Sequence, residues 1–259
     1  MKLLVLLSTI VSLLSTGCDH EEIDTTPHKV PLPAAINSEA VVHHYAYSLE
    51  YSETHEQSRW VMYMLCANRL DGPYNRNETP GCDFHEDPYI KTGSSDKSDY
   101  YKSGYSRGHL APAADMKWDS VALVESFFFS NMSPMEASFN SGVWNRLETQ
   151  VRRWAEWYDT LYIVTGPLLT DGGQGSIGEN RVTIPTAFYK AIYAPSLHQA
   201  VGFLIPHLQN KESLNSFAMS IDQLEQLTQI DFFSGIQDES LLESTFNSDR
   251  WNWGKKQKK

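Results

Sequence analysis

Residues 138–158 carry the strongest periodic signal in the chain, with Trp144, Leu147, Val151, Trp154 and Tyr158 on one face of a helix. An apolar stripe of this kind has to be buried. Around it lie short strand-like runs. Residues 44–51 alternate, residues 53–56 make a tight connection, and residues 60–65 read as a second strand, which together form a hairpin. Further strands are expected at 161–167, 181–193 and 199–204, and a second helix at 221–228. Residues 120–129 fit a helix or a buried strand equally. Residues 75–98, rich in Gly, Pro, Asn, Asp and Ser, form a long loop, and residues 171–178 a Gly-rich turn. Strands mixed with helices in no regular βα alternation, without repeats or a second domain boundary, indicate one α+β domain.

Of the 259 residues, 41% are hydrophobic and 20% charged, a globular balance rather than a disordered one. The 32 acidic and 21 basic side chains leave a net charge of −11, which excludes a broad basic coat for nucleic acid. A small basic cleft is compatible with that total. Lys91, Lys97, Lys102, Arg107 and Lys117 stand near Asp96, Asp99, Asp115 and Asp119, so this region reads as locally neutral. Poor binding of nucleic acid without metal is the expectation.

The first residues read as an address rather than as fold. Lys2, an apolar run over residues 3–14 and the small residues before Cys18 make an export signal. The run is too short to span a bilayer, which takes roughly 20 residues. A Cys after a small residue resembles the bacterial lipobox, which implies cleavage before Cys18 and a lipid anchor on it. The expected organisation is a signal peptide at 1–17, a flexible Pro- and Thr-rich tether at 18–37 and one domain at 38–259. The expected location is the periplasm, the outer membrane, the cell surface or the medium. In an oxidising space Cys66 and Cys82 are expected to form a disulfide. The tail 255–259 reads as a solvated terminus.

Two clusters carry groups suited to chemistry. In Ser106-Arg107-Gly108-His109, Arg107 and His109 point to one side of an extended strand. A neutral imidazole there accepts a proton from water, and a guanidinium holds phosphate by paired hydrogen bonds. The same residues also suit a hydrogen-bonded histidine beside a surface arginine. The second cluster is Asn131 followed by Asn140, Glu148 and Arg152. On an ideal helix Asn140 and Glu148 lie about 80° apart around the axis and about 12 Å along it. Asn140 then opens the helix, either as a cap or with its amide oxygen free for a cation. Glu148 and Arg152 have the spacing of a helical ion pair.

Together the clusters resemble the DNA/RNA non-specific endonucleases, the ββα-metal nucleases that include Serratia nuclease and mitochondrial endonuclease G. The resemblance rests on residues 106–109 with Leu110-Ala111-Pro112-Ala113, on Asn131, Asn140, Trp144, Arg146-Leu147-Glu148 and Arg152, and on Glu56-Gln57 before Trp60-Val61. It continues through Thr165-Gly166-Pro167, Pro185 with Lys190, and Asp222-Gln223-Leu224-Glu225 before Asp231-Phe232-Phe233. It implies a ββα-metal nuclease fold with a central, mostly antiparallel sheet flanked by helices. It also implies His109 as general base, Asn140 as direct ligand of one Mg²⁺ (or Mn²⁺), and Glu148 ordering waters around that ion. Arg107 would neutralise charge on phosphate, with Arg152 and Asn131 in substrate contact and site geometry. The implied substrates are DNA and RNA. Ser106 departs from the family's commoner Asp and leaves rate and end preference open. Two other readings remain, a nucleic-acid-binding protein with a weakened site and a phosphodiesterase acting on another substrate. No oligomer interface is legible.

Other candidates are weaker. His43, His44 and His55 make a poor metal set, and residues 172–175 lack the spacing of a phosphate loop. Asp115 is structural or supports the site, and Trp154 and Trp157 read as packing residues.

Overall fold

The structure is a computed structural model that describes residues 31–34, 40–169 and 172–254. The signal at 1–17, Cys18, most of the 18–37 stretch and the tail 255–259 lie outside the described residues. Strands β1 (Val41–His43), β2 (Tyr47–Ser52) and β3 (Gln57–Cys66) open the fold. A short ribbon of β4 (Ser106–His109) and β5 (Met132–Met135) follows. Strand β6 (Thr160–Pro167) precedes the small hairpin β7 (Ser176–Ile177) and β8 (Val182–Thr183). Strands β9 (Ala187–Ala194), β10 (Gln199–Pro206) and β11 (Ala218–Met219) complete the set. The main sheet has the order β1-β2-β3-β6-β9-β10-β11 with every pairing antiparallel. The expected strand at 181–193 divides into β8 and β9, with Pro185 between them, where a ladder N–H is missing.

The helices are α1 (Lys97–Tyr100), α2 (Ser120–Glu125), α3 (Ala137–Phe139), α4 (Asn145–Tyr158), α5 (Ile221–Thr228) and α6 (Glu239–Ser244). Residues 120–129 thus resolve as helix first, capped by Asp119, whose carboxylate accepts from the N–H groups of Val121 and Ala122.

Both faces of the sheet are covered. Val61, Tyr63 and Leu65 pack with Leu147, Val151 and Trp154 of α4 on one side. Trp60 and Met62, alternating with them, pack on the other with Ile221, Leu224 and Leu242 of α5 and α6. Burial on both faces explains why the central strands read as continuous apolar runs. A third cluster of Phe84, Tyr100, Leu123, Phe127, Phe129 and Met132 lies beneath the long loop at 75–98. Asp87 ties that loop down, accepting from Ser130 Oγ at 2.5 Å and pairing with His44 Nε2 at 3.0 Å. Residues 31–34 also pack on the domain, with Leu32 on the α5 face and Ala34 N donating to Asp231 O.

The expected Cys66–Cys82 disulfide is not formed, and both thiols are free. Cys66 ends β3, where Thr160 Oγ1 donates to its Sγ at 3.7 Å. Cys82 is buried in the third cluster. The two side chains are committed to different surroundings.

Candidate active site

Strand β4 sets Arg107 and His109 on one side, as the sequence spacing predicts. The Arg107 guanidinium lies 4.3 Å from the centroid of Phe84, and the His109 ring 5.7 Å from it. Gly108 between them is a packing requirement: a Cβ there would meet Met135 Sδ on β5 at 2.2 Å. His109 stands edge-on to Phe127 at 5.2 Å. Asn131, fully buried, fixes the chain just beyond it. Its Oδ1 accepts from Ala111 N, and its Nδ2 donates to Ala111 O and Ser126 O. Asn131 therefore shapes the site through the backbone.

His109 Nε2 is buried and has no hydrogen-bond partner among the described residues. Burial, then the Arg76 and Arg107 guanidinium groups, push the imidazole down to about 4. The ring is neutral at physiological pH. A depressed histidine holds its proton more tightly in the unfolded chain, so stability is lost as pH falls from 6.5 through about 4. Over that window the Tm of the wild type should fall more steeply than that of His109→Asn. Equal slopes in thermal melts would contradict the burial of a neutral ring.

The second cluster departs from an ideal helix. Helix α3 runs into a π-helical turn at Asn140–Trp144, with Gly142 at φ −96° and ψ −110°, before α4 begins. The turn lies between Asn140 and Glu148, so the two do not share the ideal helix from which the relation of about 80° and about 12 Å follows. Such single-turn bulges gather at functional sites. Asn140 ends α3 and is also not an N-terminal cap. Glu136 occupies that place, its N–H bound to His207 Nε2, and Asn140 N donates to Glu136 O. The Asn140 side chain is half-buried, and its amide makes no hydrogen bond among the described residues.

The expected Glu148–Arg152 pair is replaced by a longer-range one. Arg152 Nη1 donates to Asp115 Oδ1 at 2.9 Å, and Tyr63 Oη donates to Asp115 Oδ2 at 3.0 Å. Asp115 is 2% exposed and lies six residues after His109. It joins the strand bearing His109 to the helix bearing Glu148. Glu148 has Lys190 of β9, Asp115 and Arg152 as charged neighbours. Burial pushes the Glu148 carboxyl up and the Lys190 ammonium down, and each opposes the other's shift. Lys190 is fully buried, donates to Thr165 Oγ1 at 3.1 Å and lies 4.8 Å from the centroid of Trp144.

Ser106 and Arg107 open onto a cleft of about 880 Å³ lined by Phe84, Tyr100, Tyr101, Tyr105, Lys97 and Lys102. Among the described residues no acidic one lines it. The carboxylates that balance these cations in the sequence are engaged elsewhere. Asp96 and Asp119 cap helices, Asp99 accepts from Asn180, and Asp115 holds Arg152. Lys97 is paired with Asp83 at 2.7 Å, so Arg107 and Lys102 carry the positive charge of the lining.

His43, His44 and His55 are separate, bonded to Ser48, Asp87 and Thr183 respectively. Trp154 is core, packed against Trp251 and Trp253. The sequence reading had no site role for Arg76, Phe84 or Lys190. A single Lys inside the apolar run of residues 187–194 was the available signal for Lys190. Arg76 and Phe84 sit in an irregular loop, where no periodicity points to them.

A sequence model of the DNA/RNA non-specific endonuclease family matches residues 27–239. The mitochondrial nuclease EXOG of Danio rerio is 37% identical over 210 residues, covering 74% of this chain and 60% of that protein. The human EXOG is 33% identical, covering 72% and 55%. The chain thus spans little more than half the length of these relatives. Nuclease C1 of Cunninghamella echinulata var. echinulata is 30% identical, covering 73% and 80%. A chain in the crystal structure of the EndoG/EndoGI complex superposes with a TM-score of 0.70 at 31% identity, covering 76% of this chain and 86% of its own. The shared architecture is the antiparallel sheet with flanking helices, and the chain belongs to the DNA/RNA non-specific endonuclease family.

Proposed function

We propose that this protein is a metal-dependent nuclease that hydrolyses phosphodiester bonds of DNA and RNA. The observation that carries this reading is His109, neutral and with a buried Nε2 that the protein leaves unpartnered. With Nε2 enclosed, a neutral imidazole is suited to take the proton of an attacking water at its other nitrogen, Nδ1. The water oxygen bonds to phosphorus, its proton passes to the His109 imidazole, and the bond to the leaving oxygen breaks, that oxygen taking a proton from solvent. Arg107, on the same side of β4, stabilises the charge growing on the phosphate oxygens. Because water attacks rather than a ribose hydroxyl, both sugars are accepted.

The donor set fits a hard cation. The Asn140 amide is without a hydrogen-bond partner among the described residues, and Glu148 is a half-buried carboxylate, both oxygen donors. Asn140 would hold Mg²⁺ or Mn²⁺, with Glu148 ordering the waters around it, and the ion would supply positive charge to the reacting phosphate. Lys190 and Arg152 balance the charge around Glu148 from within the fold. The cleft beside Ser106 combines cations with aromatic rings, the combination that holds nucleic-acid strands.

Plasmid, linear DNA and RNA should all be digested with Mg²⁺ and none of them in EDTA, with Asn140→Ala losing nearly all activity. Digestion that persists in EDTA, or equal rates for the wild type and Asn140→Ala, would overturn the mechanism. Retention of nucleic acid without any cleavage would point to a binding protein.

A further inference from the structure

We propose a second cation site, on the face of the sheet away from α4, that takes a hard divalent ion of the calcium class between α5 and α6. Five carboxylates converge there. Asp222 and Glu225 belong to α5, Asp231 to the connection, and Glu239 and Glu243 to α6. Oxygens of Asp222, Glu225 and Glu243 lie within 4.8 Å of one another, and so do those of Asp231, Glu239 and Glu243. Glu243 is common to both sets and is the centre of the site.

Glu243 supplies a second, separate observation. It is 5% exposed, and its Oε1 is buried without a hydrogen-bond partner among the described residues. A buried carboxylate oxygen with neither donor nor counter-ion is costly. No Lys, Arg or His forms an ion pair with any of the five among the described residues. The neighbouring carboxylates are already oriented, since Phe232 N donates to Glu225 Oε1 and Gly235 N to Glu239 Oε2. Each keeps its other oxygen for a further partner. Without a cation, burial and the crowding of Glu225, Glu239, Asp231 and Asp222 push Glu243 up to about 8.

An all-oxygen, all-carboxylate set excludes soft metals and favours a hard ion. Several ligands on two short helices and a loop suit the six to eight flexible contacts of Ca²⁺ better than the strict octahedron of Mg²⁺. The ion would tie α6 and the 229–239 connection to α5. That connection also receives the entering chain through Ala34 N and Asp231 O. The site is thus a stabilising clamp, apart from the residues around His109.

The test is thermal melting of the full chain in constant excess Mg²⁺, with CaCl₂ as the added probe. Ca²⁺ should raise Tm saturably by about 5 °C or more. Glu243→Gln should lose that shift and keep its nuclease rate, whereas Asn140→Ala should keep the shift. No Ca²⁺ shift in the wild type, an equal shift in Glu243→Gln, or its loss in Asn140→Ala would each overturn the proposal. If Glu243→Gln does not fold, the pair Asp231→Asn with Glu239→Gln, at less buried positions, replaces it with the same expected loss. The readout is stability, so it is independent of whether the chain cleaves nucleic acid.

Discussion

His109→Ala should lower kcat on DNA and RNA by about 10²–10⁴-fold, the usual contribution of a positioned general base. KM should change little, because the lost interaction forms at the attacking water rather than on the bound strand. The fold should survive, since the residue is only partly buried and its ring contacts are limited to a tilted one with Phe84 and an edge one with Phe127. Steady-state kinetics on both substrates, with a melt of the same preparation, separates these effects. A variant that keeps kcat within a few fold would remove His109 from the chemistry. The depressed imidazole adds a condition to the wild type. His109 remains deprotonated well below pH 6.5, so a loss of rate between neutrality and pH 5 has to come from another group.

Arg152→Ala should be among the most destabilising single substitutions outside the hydrophobic core. It strands the Asp115 carboxylate, 2% exposed, with the Tyr63 hydroxyl as its remaining side-chain partner. Breaking one side of a buried pair costs about 3–5 kcal/mol, a fall in Tm of roughly 6–20 °C for a chain of this size. The larger part of that cost belongs to the charge left behind. The double variant Arg152→Ala with Asp115→Asn should therefore melt above Arg152→Ala alone. Calorimetry of the three proteins decides this. A loss below about 1 kcal/mol, or no recovery in the double variant, would mean that solvent reaches Asp115. Activity should fall with stability, because this pair joins the segment that carries His109 to the helix that carries Glu148.

The α4 stripe, the hairpin of β2 and β3, and the positions of the other long strands along the chain were legible because each follows a local period. Alternation of two places Val61 and Trp60 on opposite faces whatever the rest of the chain does, and a period of 3.6 gathers Leu147, Val151 and Trp154. The placing of Arg107 and His109 on one side of a strand was legible for the same reason. Other features depended on distances that spacing does not carry. The hydrophobic pattern runs straight through Gly142, so it could not show the π-helical turn that moves Asn140 off an ideal helix. Cysteine spacing does not encode which surroundings each thiol faces.

The main strands and helices were thus legible in local pattern, since strand and helix periods act over a few residues, and the family was legible in its ordered motifs. The partners of the site residues were settled by packing. Arg152 satisfies the four-residue rule with Glu148 on paper, yet it pairs with Asp115, 37 residues away. Desolvation makes a buried carboxylate the more demanding partner. Lys190 reads as one polar residue in a strand until Thr165, Trp144 and Glu148 close around it. Five carboxylates spread over residues 222–243 become a cluster only when α6 folds back onto α5. Charge interactions depend on separation in space and on exclusion of water, and both are properties of the packed molecule.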